Sequence, residues 1–186
     1  LCVGRKPNLE GIEALNLEPY RNGIKVDSHM RTSVNNVWAA GDVTAYSLLA
    51  HTAIREGQVA VNDMLGIEDE MKYNAIPGVI YSSPEVAGCG ATEDALKQEG
   101  KEYEVHKLAM THSGRFVAEN EGGNGLCKIL TNKDKQIIGM HFICNPASEM
   151  ISCACIAISA EMTIDQLQKV VFPHPTVSEI IRETLD

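Results

Sequence analysis

Apolar and polar positions along this chain follow two periods. Gly23-Ile24-Lys25-Val26-Asp27 alternates every second residue and predicts a short strand. Val37-Trp38-Ala39-Ala40 is apolar on both faces and ends at Gly41-Asp42, a pattern that predicts a central strand of an α/β sheet. Ala53, Ile54, Val59, Ala60, Val61, Met64 and Leu65 recur at helical spacing and predict a helix over 51–65, stopped by Gly66. Composition then shifts: Glu68, Asp69, Glu70 and Lys72 lead into Ile76-Pro77-Gly78, and a domain boundary is expected within 66–76. Beyond it the pattern predicts strands at 79–81, 85–90, 103–110, 126–131 and 137–143, the last two joined by Asn132-Lys133-Asp134-Lys135. A helix over 92–98 is opened by Thr92 and closed by Gly100. Residues 146–162 start with proline, are apolar on nearly every side and carry only Glu149 and Glu161 as charges. Such a helix is expected to bury most faces, against its own sheet and a second subunit. Short helices at 164–170 and 176–185 close the chain. Strands joined as antiparallel neighbours and interleaved with helices give an α+β second domain.

Composition supports folding: 186 residues with 44% hydrophobic side chains suffice for one good-sized domain or two small ones. No run of about 18 apolar residues occurs, and the opening lacks the basic and apolar regions of a signal peptide. A soluble, cytoplasmic protein with no membrane partner is expected. Leu1-Cys2-Val3-Gly4 reads as the end of a strand running into a turn, so the chain is expected to be part of a longer one. The net charge of −9, with no basic stripe, argues against a nucleic-acid partner. The cysteines at 2, 89, 127, 144, 153 and 155 contain no C-x-x-C pair. Cys153 and Cys155 lie about 200° apart around a helix and cannot bridge each other. Buried reduced thiols are expected, and no metal site.

Two regions offer chemistry. His174 stands between Pro173 and Pro175, with Glu179 five residues on at the first turn of a helix. The prolines pin the backbone, so the imidazole is fixed in space. A carboxylate that orients such a ring makes a general acid–base pair. Thr176-Val177-Ser178-Glu179 also reads as a plain capping box, which would leave His174 a turn residue. Upstream, Gly41 at a strand end lets a ligand approach, and Asp42 can accept hydrogen bonds from hydroxyls, or serve simply as a turn residue. Leu49-Ala50-His51 opens the next helix, whose free N–H groups suit negative charge such as an anionic flavin ring, as those of any helix start do.

The motifs also form a series. Gly4-Arg5-Lys6-Pro7-Asn8, Asn16-Leu17-Glu18, Gly23-Ile24-Lys25-Val26-Asp27, Arg31-Thr32-Ser33-Val34, Ala40-Gly41-Asp42-Val43, Leu49-Ala50-His51, Glu56-Gly57, Ser83-Pro84-Glu85-Val86-Ala87, Gly90-Ala91-Thr92-Glu93 and His174-Pro175-Thr176-Val177-Ser178-Glu179 occur in this order. The series resembles the carboxy-terminal part of the dihydrolipoamide dehydrogenase family, within the pyridine nucleotide–disulfide oxidoreductases, over essentially the whole chain.

The resemblance implies that residues 1–7 leave an NAD-binding domain, 8–71 are the returning segment of an α/β FAD-binding domain, and 72–186 are the dimerisation domain. It implies FAD and NAD as cofactors, with Gly41 and Asp42 at the ribityl chain and Leu49, Ala50 and His51 beside the flavin pyrimidine ring. His174, held by Glu179, would act across a homodimer interface on the partner subunit's dithiol, and the His174–Pro175 peptide would be cis. The implied partners are lipoyl domains of 2-oxo acid dehydrogenase or glycine cleavage complexes. The family's glycine-rich fingerprint and C-x-x-x-x-C pair do not occur in these 186 residues, so this stretch alone is expected to be inactive. Phe172-Pro173 replaces the family's commoner small residues before the histidine. Glutathione and mercuric reductases share much of this framework and stay open as alternatives, as does a non-catalytic dimerisation module.

Overall fold

The alternating segments beyond residue 76 pair into one antiparallel sheet in the computed structural model, which describes residues 3–186. The chain divides into two units, Leu1–Tyr73 and Asn74–Asp186.

In the second unit the sheet comprises β3 (Pro77–Ile80), β4 (Val86–Gly90), β5 (Glu104–Ala109), β6 (Leu126–Thr131) and β7 (Ile137–Ile143), in the order β3-β4-β7-β6-β5. Register follows the two-residue period: Ala87 lies opposite Phe142, Cys89 opposite Met140 and Ile129 opposite Met140. These five side chains are all buried. A register shift occurs at Leu130/Thr131.

Helix α4 (Ala147–Ser159) packs on the sheet. Ala147, Met150, Ile151, Ala154, Ala157 and Ile158 are buried, the three-and-four spacing of one helical face. Burial is therefore one-sided within this chain: Ile156 is 66% exposed. The chain ends in α5 (Ile164–Leu167), a 3-10 turn at Val177–Glu179 and α6 (Ile180–Glu183), whose Ile180 and Ile181 enter the same core. Both predicted terminal helices are thus shorter than their apolar patterns suggested.

Between β4 and β5 lies α2 (Glu93–Gln98), capped by the Thr92 side chain, which accepts from the Ala95 N–H at 3.2 Å. Thr92→Ala is expected to cost about 1 kcal/mol in chemical denaturation. An unchanged midpoint would show that this cap contributes nothing. Helix α3 (Gly114–Glu119) had no counterpart in the apolar pattern, because Phe116 is its single buried residue. Its signals were local: the Ser113 hydroxyl accepts from the Phe116 N–H, and Arg115 pairs with Glu119 one turn on.

The first unit has little sheet. β1 (Pro19–Tyr20) and β2 (Gly23–Ile24) pair over two residues each, shorter than the predicted strand. Residues 37–40 do not form the expected central strand. Trp38 makes only an isolated antiparallel bridge to Arg31, and residues 37–40 are half-buried. Among the described residues of this unit, the segment carrying Arg31 is the only one bridged to it, so the apolar run lacks the ladder on both sides that a central strand needs. The expected helix is present as α1 (Ala50–Met64), and Gly66 beyond it takes φ +71°. It buries Val59 and Ala60, while Ile54, Val61, Met64 and Leu65 remain exposed in this unit. Leu1 and Cys2, read as a strand end, lie outside the described residues, and Val3 is exposed without regular structure. Among the described residues no helix is long and apolar enough to cross a membrane.

Candidate functional site

In the first unit, Gly41 connects the extended 37–40 segment to a 3-10 turn, Asp42–Thr44. It takes φ +83°, the left-handed side of backbone space that favours glycine. A Cβ there would lie 3.3 Å from the Ala53 Cβ, so the turn sits against the first turns of α1. Three bonds hold it. The Gly41 N–H donates to Glu56 Oε2 at 2.6 Å, and the Thr44 N–H and hydroxyl both donate to the Gly41 carbonyl at 2.9 Å.

Glu56 is fully buried on α1 and also accepts the Tyr73 hydroxyl at 2.6 Å. Burial and that bond push the Tyr73 phenol well above its ordinary pKa, so it remains a donor. Tyr20, Tyr46 and Tyr73 stack in succession, with ring centroids 4.4 and 5.4 Å apart. Glu56 and Tyr73 carried no role in the sequence reading. The available signal was a glutamate one helical turn after Thr52 and one before Val59 and Ala60, on the face of α1 that is buried.

Asp42 itself is exposed at the start of the turn. Leu49 caps α1 with no side-chain acceptor, and the first helical turn holds no acidic residue. Leu49, Ala50 and His51 are all exposed. The structure thus brings an outward carboxylate on a glycine turn beside a helix start with no acidic residue in its first turn, a surface suited to hydroxyls and to negative charge.

In the second unit, His174 Nδ1 lies 2.9 Å from Glu179 Oε1 and 3.2 Å from Oε2. Glu179 also accepts the Thr176 N–H at 2.7 Å, while the Thr176 hydroxyl donates to the Pro173 carbonyl at 2.7 Å. The capping bond and the ring-orienting bond, which the sequence offered as alternatives, are made by one carboxylate. The His174–Pro175 peptide is cis.

The Thr176 N–H, and after it the His174 ring, hold the Glu179 carboxyl below its ordinary pKa. Glu179 is therefore an ionised acceptor at neutral pH, and the ring nitrogen facing it must carry the proton. In the neutral ring Nε2 is then the acceptor. The His174 side chain is 81% exposed against 22% for Glu179, so an anchored carboxylate presents a basic nitrogen outward. Such a ring can take a proton from a group that reaches it from outside this unit.

Cys89, Cys127 and Cys144 are buried thiols, and Cys153 and Cys155 are half-buried. Burial pushes Cys127 up to about 12 and Cys144 up to about 11, which keeps both protonated and unreactive. Among the described residues no three His, Cys, Asp or Glu side chains gather as a metal site.

The sequence matches two family profiles: the pyridine nucleotide-disulphide oxidoreductase dimerisation domain over residues 76–185, and pyridine nucleotide-disulphide oxidoreductase over residues 1–57. Mitochondrial dihydrolipoyl dehydrogenase of Sus scrofa is 38% identical over 98% of this chain and 36% of its own length. Dihydrolipoyl dehydrogenase of Cupriavidus necator is 36% identical over 98% of this chain and 39% of its own length. The chain therefore spans well under half the length of these relatives. Among solved structures, LpdA of Mycobacterium tuberculosis superposes with a TM-score of 0.90 at 24% identity, over 98% of this chain and 41% of that one. The HOCl-induced flavoprotein disulfide reductase RclA of Escherichia coli superposes at 0.83 with 21% identity, over 98% and 43%. These two likenesses describe the fold, an α+β unit with an antiparallel sheet. With the dimerisation-domain profile covering more than half of its residues, the chain belongs to the pyridine nucleotide-disulphide oxidoreductases.

Proposed function

We propose that this chain is the carboxy-terminal part of a cytoplasmic, homodimeric dihydrolipoamide dehydrogenase that oxidises protein-bound dihydrolipoamide and passes the electrons to NAD. The observation that carries the reading is the outward Nε2 of His174, backed by the doubly bonded Glu179 carboxylate. The relatives at 36–38% identity that bear the dihydrolipoyl dehydrogenase name support lipoamide as substrate.

Residues 1–7 are assigned to the exit from the NAD-binding domain, 8–71 to the returning FAD segment and 72–186 to the dimerisation domain. The exposed Asp42 carboxylate and the acid-free start of α1 fit the polyhydroxyl and anionic parts of a flavin nucleotide. On that reading Gly41 and Asp42 meet the ribityl chain, and Leu49, Ala50 and His51 line the pyrimidine side. FAD and NAD supply the electron-transfer chemistry when bound.

The protein's own contribution is proton handling. A dithiol attacks a disulfide only as a thiolate, so a base must take the thiol proton. His174 takes it at Nε2, on the partner subunit's dithiol, while Glu179 fixes the tautomer and aim of the ring. Lipoyl domains of a 2-oxo acid dehydrogenase or glycine cleavage complex would deliver the substrate. No C-x-x-x-x-C pair occurs in residues 1–186, so this stretch on its own is assigned no turnover.

The test is NAD⁺ reduction by free dihydrolipoamide with the full-length protein, beside glutathione disulfide and mercuric ion in the reverse sense. Robust lipoamide turnover supports the reading. Turnover of glutathione disulfide or mercuric ion without lipoamide activity would move the protein to a sister reductase, and an absence of bound flavin would make it a non-catalytic dimerisation module.

Glu179→Gln gives a further check. The amide keeps one acceptor for two donors, and an NH₂ turned toward Nδ1 moves the ring proton to Nε2, where it blocks the base. Turnover is expected to fall about 10- to 100-fold, less than on loss of the imidazole. Wild-type turnover in this variant would mean that Glu179 serves only as a helix cap.

A further inference from the structure

We propose that Cys89 and Cys155 form an oxidation site: a hydroperoxide converts the two thiols into an intramolecular disulfide that ties α4 to β4. The sulfurs stand 3.6 Å apart, although 66 residues separate them in sequence. Spacing along the chain gave no hint of the pair, because one thiol sits on a strand and the other on the helix packed over it.

Three features make the pair a site. The first is reach: a disulfide needs about 2.05 Å between sulfurs, so closure requires about 1.5 Å of movement from contact already made. The second is tight packing at this level of the fold. Gly90, the neighbour of Cys89, has φ +80°, and a Cβ there would lie 2.8 Å from Ile158 Cδ1 on α4. The Ile138 carbonyl oxygen on β7 would lie closer still, at 2.3 Å, so only glycine fits where the Ile158 side chain reaches from α4 to the end of β4.

The third is the asymmetry of the two thiols. Cys89 is 1% exposed, and the bond with Cys155, together with burial, holds it protonated. Cys155 is half-buried, and the same bond lowers its pKa, so it is the more acidic sulfur and the one nearer to solvent. By contrast, burial raises Cys153, which faces about 200° away around α4.

The chemistry closes in two steps. The Cys155 thiolate attacks one peroxide oxygen: an S–O bond forms, the O–O bond breaks, and the departing oxygen takes a proton to leave as water or alcohol. The Cys89 sulfur then attacks Cys155: the S–S bond forms, the S–O bond breaks, and hydroxide leaves as water with the Cys89 proton. The thiols lose two electrons and two protons, and the hydroperoxide gains them. An external dithiol reverses the change by thiol–disulfide exchange.

The test is peptide mapping by mass spectrometry of the full-length protein, held native in excess hydrogen peroxide and then alkylated under denaturing conditions. A Cys89–Cys155 cross-linked peptide, lighter by two hydrogens than its two thiol peptides together, is expected in most molecules and should vanish after dithiothreitol. In Cys153→Ser the cross-link should form as in the wild type, and in Cys155→Ser the Cys89 peptide should remain a thiol. The proposal is overturned if Cys155 ends as sulfinic acid with Cys89 still alkylatable, or if both stay thiols while Cys153 is oxidised. It is likewise overturned if neither changes in excess peroxide. The wild-type map decides the matter even if a variant misfolds.

Discussion

Replacing His174 by glutamine in the full-length protein is expected to lower NAD⁺ reduction by dihydrolipoamide about 10²- to 10⁴-fold, the range associated with removing a positioned general base. The structure separates this loss from any loss of fold. The ring is 81% exposed and its bond partner is Glu179, which keeps the Thr176 N–H whether or not the imidazole is present. Thermal midpoint, flavin content and dimer mass should therefore match the wild type. Glutamine retains a polar side chain of similar reach but has no nitrogen that accepts a proton near neutral pH. If turnover falls less than about tenfold, His174 is not the base. If flavin content or the dimer is lost along with activity, the ring is holding structure and the proton-transfer assignment fails.

Glu56→Ala should produce the opposite pattern, a collapse of local structure at a residue that touches no substrate. The carboxylate is fully buried and accepts from the Gly41 N–H and the Tyr73 hydroxyl, both at 2.6 Å. Alanine leaves two donors unpaired and opens a void beneath the Gly41–Asp42 turn. Each stranded donor costs about 1–3 kcal/mol, so a loss of about 2–6 kcal/mol is expected in chemical denaturation. Because Gly41 would lose its anchor to α1, flavin retention should fall with it, an effect that depends on the proposed role of Asp42. Glu56→Gln, which keeps one acceptor, should fall between the two. A Glu56→Ala protein within about 0.5 kcal/mol of wild type would mean that water replaces the carboxylate and that this clamp does not hold the turn. Normal stability loss with full flavin retention would confine the role of Glu56 to folding.

The parts of the fold that could be read from residue order are those whose causes are local. The strands expected at 85–90, 126–131 and 137–143 follow from side chains alternating across a pleat, and they matched the observed strands closely. Thr92 and Gly100 marked the ends of α2 because capping involves neighbours a few residues apart. His174 and Glu179 belong to the same class: five residues and two prolines bring ring and carboxylate together with no help from the sheet.

Where partners come from far along the chain, the pattern misled or was silent. The apolar run at 37–40 has strand-like residues, but a strand needs ladder partners, and the described residues of the first unit bridge only Arg31 to Trp38. Glu56 looked like one more polar helix position until Gly41 and Tyr73, 15 and 17 residues away, were folded onto it. The tertiary structure alone decided that a buried carboxylate clamps the candidate flavin turn and that Cys89 meets Cys155 across the helix–sheet interface. Sequence by itself determined the α+β arrangement, the ends of α2 and the pairing of His174 with Glu179, because those depend on periodicity and short-range bonding; contacts set by packing between distant elements depend on how every intervening element is placed.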